Sequence, residues 1–176
     1  MATRRLKAGE RRKQILKCAT RIFAASNFKT ATTKQIASEL GISEAAIFNY
    51  FPTKRDIFLA IIDHLNSQIL NTWEDKINGE GSAEFRLRGI GISYFQSIKE
   101  HADELKVQFQ AVSEIDDPEI SKRLREHHQS YIALIENLIN DGIQKGEFTS
   151  STKGKSIAYI FDALGVFSNL MHLLGN

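Results

Sequence analysis

The stretch from residue 32 to residue 51 constrains the fold most, because it contains the start and stop signals of two short helices. Thr32 can cap the first helix, and Gln35, three residues later, completes a capping box. Gly41 offers the left-handed conformation that ends a helix, and Ser43 can cap a second one. Two short helices joined by a turn that contains Gly form a helix-turn-helix, whose second helix usually lies in the DNA major groove.

Five short segments of the same region carry a further pattern. They are Asn27-Phe28, Thr32 to Ala37, Gly41-Ile42-Ser43, Phe48 to Phe51 and Thr53-Lys54. In order and spacing they resemble the DNA-binding signature of the tetracycline-repressor-like (TetR/AcrR) transcription regulators, over roughly residues 10 to 65. Asn27 replaces the family's usual Gly. This is permitted because Asn, like Gly, tolerates a left-handed backbone conformation. Phe48 replaces a Tyr whose phenol, in relatives, can touch a phosphate.

The charges are distributed unevenly along the chain. Residues 1–55 hold 12 Lys or Arg and 3 Glu, a net charge of +9, whereas the remaining residues hold 11 basic and 18 acidic side chains, a net charge of −7. A basic face is often only solvated surface, but this one coincides with the helix-turn-helix. The N-terminal end is therefore predicted to bind a polyanion.

Helical periodicity and capping residues predict an all-α chain, and no segment alternates with the period of a strand. We predict an N-terminal three-helix DNA-binding domain over residues 1–55 and a C-terminal helical bundle over residues 56–176 for ligand binding and dimerisation. Residues 1–9 are predicted to form a mobile arm that reaches the minor groove or stays in solvent. The predicted helices cover residues 10–26, 33–40, 44–51, 54–77, 83–100, 102–113, 118–145 and 153–174.

The composition excludes several classes of protein. It is that of ordinary soluble globular proteins, no apolar run approaches the roughly 18 residues of a membrane span, and the basic N-terminus lacks the apolar part of a signal peptide. We therefore expect a cytoplasmic protein without membrane contact. The single Cys18 has the spacing of a core residue. Gly89 and Gly91 lack the third Gly and the strand of a dinucleotide site, so no cofactor is predicted, and the two glycines either allow close helix packing or bending, or leave room for a pocket.

Phosphate contacts are expected from hydroxyl, amide and ammonium groups near helix starts. This chemistry and the resemblance give the candidates Thr32, Thr33, Lys34, Ser43, Asn49, Tyr50 and Lys54. Base reading falls to the exposed face of the second helix, chiefly Ala45, Ala46 and Asn49. Two roles stay open. Tyr50 can contact DNA or pack, and Glu44 can accept from cytosine or complement the helix dipole.

A single short recognition helix reads too few base pairs for specificity. A homodimer on a palindromic operator is therefore predicted, with its recognition helices about 34 to 36 Å apart or a multiple of this. The helix over 153–174 is apolar on more than one face and is expected to pack against its copy in a second subunit. The family commonly pairs its last two helices with those of a partner. Either dimerisation uses fewer helices here, or a further helix lies beyond Asn176.

The resemblance also implies a small effector that binds the helical domain, shifts the helix over 54–77 and releases the DNA. The candidate lining side chains are apolar or aromatic, namely Leu65, Trp73, Phe95, Phe109, Tyr131, Phe161 and Met171. Each can instead be an ordinary core residue. If these residues line a pocket, they favour a hydrophobic or amphipathic effector such as an acyl chain, an aromatic compound or a drug-like cation.

Catalytic and metal sites are not predicted. His127 and His128 are adjacent, so on a helix they point about 100° apart and cannot hold one ion as an i, i+4 pair can. Glu114, Asp116 and Asp117 cluster at a helix end and turn, where carboxylates usually act as caps. The favoured hypothesis is a ligand-responsive transcription regulator, usually a repressor in this family. The alternatives are an architectural DNA-binding protein without an effector and, disfavoured, a helical enzyme.

Overall fold

The computed structural model describes residues 8–175, and over that part of the chain it contains eight helices and no strand. The helices are α1 (Ala8–Ser26), α2 (Thr33–Leu40), α3 (Glu44–Phe48), α4 (Lys54–Ile77), α5 (Ala83–Ser97), α6 (Ala102–Val112), α7 (Pro118–Gln144) and α8 (Gly154–Leu173). The predicted all-α fold is confirmed. Of the predicted arm, residues 1–9, the first seven lie outside the described residues. Ala8 and Gly9 belong instead to the first turn of α1.

The capping signals of the helix-turn-helix are present as predicted. The Thr32 hydroxyl accepts from the backbone N–H of Gln35, and the Gln35 side chain reaches back to the N–H of Thr32. Gly41 has a left-handed backbone, with φ of 63°, and Ser43 accepts from the N–H of Ala46. The second helix is shorter than predicted, because α3 ends at Phe48.

The buried side chains form two clusters that meet along α4. The first cluster combines α1, α2, α3 and the first half of α4 with residues of α6 and α7, and its aromatic centre is Phe23, Phe51 and Phe58. The second cluster lies between the second half of α4, α5, α7 and α8, around Trp73 and Tyr131. Because the 24-residue α4 belongs to both, it joins the helix-turn-helix rigidly to the helical bundle. The domain boundary at residue 55 stays a prediction.

Helix α8 has two different faces. Its outer face carries a stripe of exposed side chains at heptad spacing, Ile160, Leu164, Phe167 and Leu174, with exposed fractions between 54% and 66%. Among the described helices, α8 also meets the length and composition criteria for crossing a membrane, with 11% of its apolar window buried. No such segment was predicted from the sequence. A single helix that meets these two criteria is weak support for a membrane protein.

Asp117 joins the start of α7 to the start of α4. Its carboxylate caps α7 by accepting from the N–H groups of Glu119 at 2.9 Å and Ile120 at 3.2 Å. It also forms a two-point ion pair with Arg55, in which Nε lies 2.6 Å from Oδ2. The hydrogen bond from Arg55, followed by those from the backbone, lowers the pKa of Asp117 to about 2.

This ion pair predicts a dependence of stability on pH. Because the folded pKa lies below the ordinary carboxyl value of about 3.9, the stabilisation is present above about pH 4 and is lost as the pH falls toward about 2. The variant Asp117→Asn keeps a capping side chain but removes the charge. We expect it to be less stable than the native chain at neutral pH, with the difference shrinking below about pH 4. Urea unfolding across this pH range measures the effect, and a difference that stays constant would contradict it.

Candidate DNA-binding surface and effector cavity

A side-chain hydrogen bond fixes the two helices of the helix-turn-helix against each other. The Thr33 hydroxyl at the start of α2 donates to Oε2 of Glu44 at the start of α3, at 2.7 Å. Ile47 of α3 is fully buried in the first cluster, so the opposite side of this short helix faces outward. Glu44, whose role the sequence left open, therefore has a structural partner within the protein.

The predicted DNA-contact residues lie on one short segment but differ in exposure. Those exposed to solvent are Thr32, Lys34, Ser43, Ala45 and Asn49, and those partly buried are Thr33, Glu44, Ala46 and Tyr50. Thr32 and Ser43 are already engaged as helix caps. Tyr50 packs against the first cluster, which is the packing role that the sequence left open beside DNA contact.

Lys54, a predicted phosphate contact, bonds backbone carbonyls within the protein, and its contact with DNA stays a prediction. Its ammonium group lies 2.8 Å from the carbonyl oxygen of Phe28, 2.9 Å from that of Ala31 and 3.3 Å from that of Lys29. It also lies 4.7 Å from the centre of the Phe28 ring. Since an ammonium has three N–H donors, all of them are used to hold the α1–α2 turn. The sequence could not show this, because the acceptors lie 23 to 26 positions away.

Two residues with functional positions were not predicted. Phe48, at the end of α3, is 43% exposed, so its ring is available for contact with a thymine methyl group. Gln110 of α6 bonds the end of α1 and the turn that follows it, donating to the carbonyl of Phe23 at 2.8 Å and accepting from the N–H of Phe28 at 3.0 Å. The departure from the family pattern at position 48 could have drawn attention to Phe48, but no motif or spacing in the sequence indicated a role for Gln110.

A cavity of about 570 Å³, counting its open mouth, lies between α4, α5, α6, α7 and α8. Four of the predicted effector residues, Trp73, Phe95, Tyr131 and Phe161, line it, and Phe95 is 54% exposed at the surface. The full lining is Ile69, Trp73, Gly91, Tyr94, Phe95, Gln108, His128, Tyr131, Phe161, Asp162, Leu164, Gly165, Val166 and Asn169. A Cβ at Gly91 would make only an ordinary contact with the Phe161 ring, at 3.8 Å, so neither packing nor space at this point requires a glycine.

The other three predicted effector residues lie elsewhere. Phe109 lines a neighbouring hollow that shares Gln108 and Asn169 with the cavity. Leu65 lies in the second buried cluster and lines a small void that shares Ile69, Tyr94 and Asn169 with the cavity. Met171 lines none of these spaces, because heptad spacing places it on the outer stripe of α8 and not on the face toward the cavity.

The polar groups of the cavity surround its aromatic wall. The Nδ1 atom of His128 lies 2.9 Å from the Asp162 carboxylate, and Asn169 donates to the Tyr94 hydroxyl at 2.6 Å. The neighbouring His127 turns away and contacts Asp63 at 3.1 Å, so the two histidines do not share a ligand position. Within residues 8–175 no three His, Cys, Asp or Glu side chains converge on a possible metal site.

Comparison with known proteins identifies the family. The model of bacterial regulatory proteins of the tetR family matches residues 15–61, and that of the C-terminal region of YsiA-like proteins matches residues 62–167, more than half of the chain. The chain belongs to the TetR family of transcriptional regulators. The first match covers the helix-turn-helix, and the second covers all of the cavity-lining residues except Asn169.

Individual TetR-family relatives are distant in sequence but similar in fold. The fatty acid metabolism regulator protein of Bacillus subtilis is 23% identical over 76% of this chain and 69% of its own length. The regulator LuxR of Vibrio harveyi is 24% identical over 91% of this chain and 78% of its own. Among solved structures, the fatty acid degradation regulator FadR from Bacillus halodurans has a TM-score of 0.80 at 19% identity, covering 95% of this chain and 88% of its own.

Proposed function

We propose that this TetR-family regulator is a cytoplasmic repressor that binds a palindromic operator as a homodimer and is released by a small hydrophobic or amphipathic effector. The observation that carries the proposal is the position of α6. Gln108 of this helix lines the cavity, while Gln110, two residues later, bonds the end of α1 and the turn that leads from α1 to α2. A ligand that moves α6 therefore acts directly on the DNA-reading end.

The DNA-reading end supplies affinity and selectivity through different groups. Lys34 and Asn49 are exposed and suit phosphate contact, whereas Ala45 and Ala46 present small side chains that allow α3 to approach base edges. The net charge of +9 over residues 1–55 attracts DNA from a distance.

The dimer is proposed from the outer face of α8. Ile160, Phe167 and Leu174 of its exposed stripe line no part of the cavity, whose side of the helix carries Phe161, Gly165 and Asn169, and Leu164 lies at the border between the two faces. Exposed apolar side chains at heptad spacing are typical of a helix that packs against another helix. A second copy would cover the stripe and hold two reading heads at a fixed separation.

Effector release is proposed to pass through α4 as well as α6. Ile69 and Trp73 of α4 line the cavity, and Phe58 of the same helix lies in the first cluster against Phe28. An effector can shift the balance between DNA-bound and released forms only by its different affinity for the two, typically about 1 to 3 kcal/mol.

A gel-shift assay with the upstream region of the protein's own gene, over a range of salt concentrations, tests the proposal. We expect strong preference for a palindromic site over random DNA, with affinity falling as salt rises. Equal affinity for all sequences would favour the alternative of an architectural DNA-binding protein.

Lys34 provides a specific prediction for the DNA-reading end. The variant Lys34→Ala removes one exposed ammonium near the start of α2. If this group neutralises one phosphate, affinity falls about equally for all DNA sequences and the slope of log affinity against log salt drops by about one. Fluorescence anisotropy at several salt concentrations measures both. Lys76→Ala, at the far end of α4, is the matched control and should change neither.

A further inference from the structure

The residues that line the cavity include an acidic side chain but no Lys or Arg to balance its charge. None of the residues that the structure shows lining it is Lys or Arg. Apart from the tyrosines, its ionisable side chains are Asp162 and His128, which face each other across 2.9 Å. Asp162 is the one acidic side chain among the described residues that line the cavity. An anionic ligand would find no fixed positive charge here, whereas a cation would find Asp162.

Aromatic rings form the wall next to this carboxylate. The Trp73 ring lies 5.3 Å from that of Tyr131, 5.8 Å from that of Phe161 and 6.0 Å from that of Tyr94, measured between centres. All four side chains line the cavity. The faces of such rings carry partial negative charge and attract cations, particularly where water is excluded.

Hydrogen-bond acceptors in the same wall are left without a partner. The carbonyl oxygen of Asn169 and the hydroxyl of Tyr131 are buried, both residues being about 5% exposed or less, and neither atom bonds any other described residue. Burial is the main cause that raises the pKa of both Tyr94 and Tyr131, so these hydroxyls stay neutral. Buried polar atoms are normally hydrogen-bonded, which indicates that a ligand group with N–H or O–H donors belongs here.

We propose that the cavity binds an organic monocation, a protonated amine on an apolar body, with its ammonium group between Asp162, Asn169 and the aromatic rings. This proposal rests on the proposed function, because it names the class of effector that the regulator senses. The apolar body lies along Ile69, Leu164 and Val166, and the mouth near Phe95 admits it. The ammonium donates N–H groups to Asn169 Oδ1 and to the Asp162 carboxylate, which keeps its bond from His128.

Three probes of equal chain length test the class of ligand, namely octylammonium, octanol and octanoate. Isothermal titration calorimetry at about pH 8, above the ordinary range of histidine titration, gives each dissociation constant. We expect octylammonium to bind at least about tenfold tighter than either of the others, because charge-assisted hydrogen bonds are stronger than neutral ones. Equal binding of all three, tighter binding of octanoate, or no binding of octylammonium would overturn the proposal.

A matched pair of variants locates the effect. Asp162→Asn removes the charge in the cavity and should reduce the affinity for octylammonium to that for octanol. Asp75→Asn removes the same charge from the exposed surface of α4 and should leave the tenfold preference unchanged. If both variants keep the preference, Asp162 is not the recognition group. Circular dichroism shows whether each variant is folded. The comparison of the three probes on the native chain tests the proposal even if neither variant folds.

Operator binding without any probe is measured in parallel. Normal operator binding together with no preference for octylammonium would overturn the cation proposal and leave the proposed function intact. If the protein bound octylammonium selectively but did not bind operator DNA, the proposed function would be overturned and the proposed ligand class of the cavity would be supported.

Discussion

Replacing Phe167 with Glu is expected to convert the protein to a monomer and to weaken operator binding by about 100-fold or more. Phe167 is 58% exposed in the isolated chain and lies in the middle of the stripe formed with Ile160, Leu164 and Leu174. In a symmetric dimer the substitution would place two unpaired carboxylates in an apolar interface, and burying an unpaired charge is strongly unfavourable. Each monomer would then keep only half of the contacts with a palindrome.

Sedimentation velocity and fluorescence anisotropy measure the two effects on the same samples. Phe85→Glu is the matched control, because Phe85 is also exposed, at 68%, but lies near the start of α5. It should stay dimeric and bind the operator normally. A dimeric Phe167→Glu variant with native operator affinity would contradict the proposed interface. A native chain that needs detergent to stay in solution would instead point to a membrane for α8.

Replacing Phe58 with Ala should lower the free energy of unfolding by about 3 to 5 kcal/mol. Phe58 is fully buried where α4 meets the helix-turn-helix, with its ring centre 4.3 Å from that of Phe28 and 5.9 Å from that of Phe23. Removing the ring leaves a cavity at the junction between the reading head and the helical bundle. Since the free energy of unfolding of a domain is typically about 5 to 15 kcal/mol, this loss would be a large part of it.

Urea unfolding at neutral pH, with the slope compared between variants, measures this loss. Phe85→Ala makes the same chemical change at an exposed position and should cost less than about 1 kcal/mol. If the two variants lost equal stability, the junction would not be the well-packed core described above.

The local signals of the sequence predicted the helices well. Helix α4 begins at Lys54 and ends at Ile77, as predicted, because Thr53 and Asp56 form a capping box at its start. The helix-turn-helix was predicted for the same reason, since Gly41 and its two flanking caps act within a few residues. Helix α5 ends earlier than predicted, at Ser97, where the chain turns before His101.

Roles that depend on distant partners were not accessible from the sequence. Lys54 holds the turn at Phe28 and Ala31, and Gln110 of α6 bonds the end of α1, through contacts between positions more than 20 apart. Aromatic composition alone placed Trp73, Tyr131 and Phe161 correctly in a cavity. It could not separate them from Met171, because both faces of α8 are apolar and only the packing of α5 and α7 decides which one is inside.

The number of chains on one operator tests the central claim most directly. Sedimentation equilibrium of the native protein with a palindromic duplex, and with a duplex that carries one half-site, gives the mass of each complex. We predict two chains on the palindrome and binding to the half-site that is weaker by at least about 100-fold. A single chain that binds both duplexes with equal affinity would contradict the account.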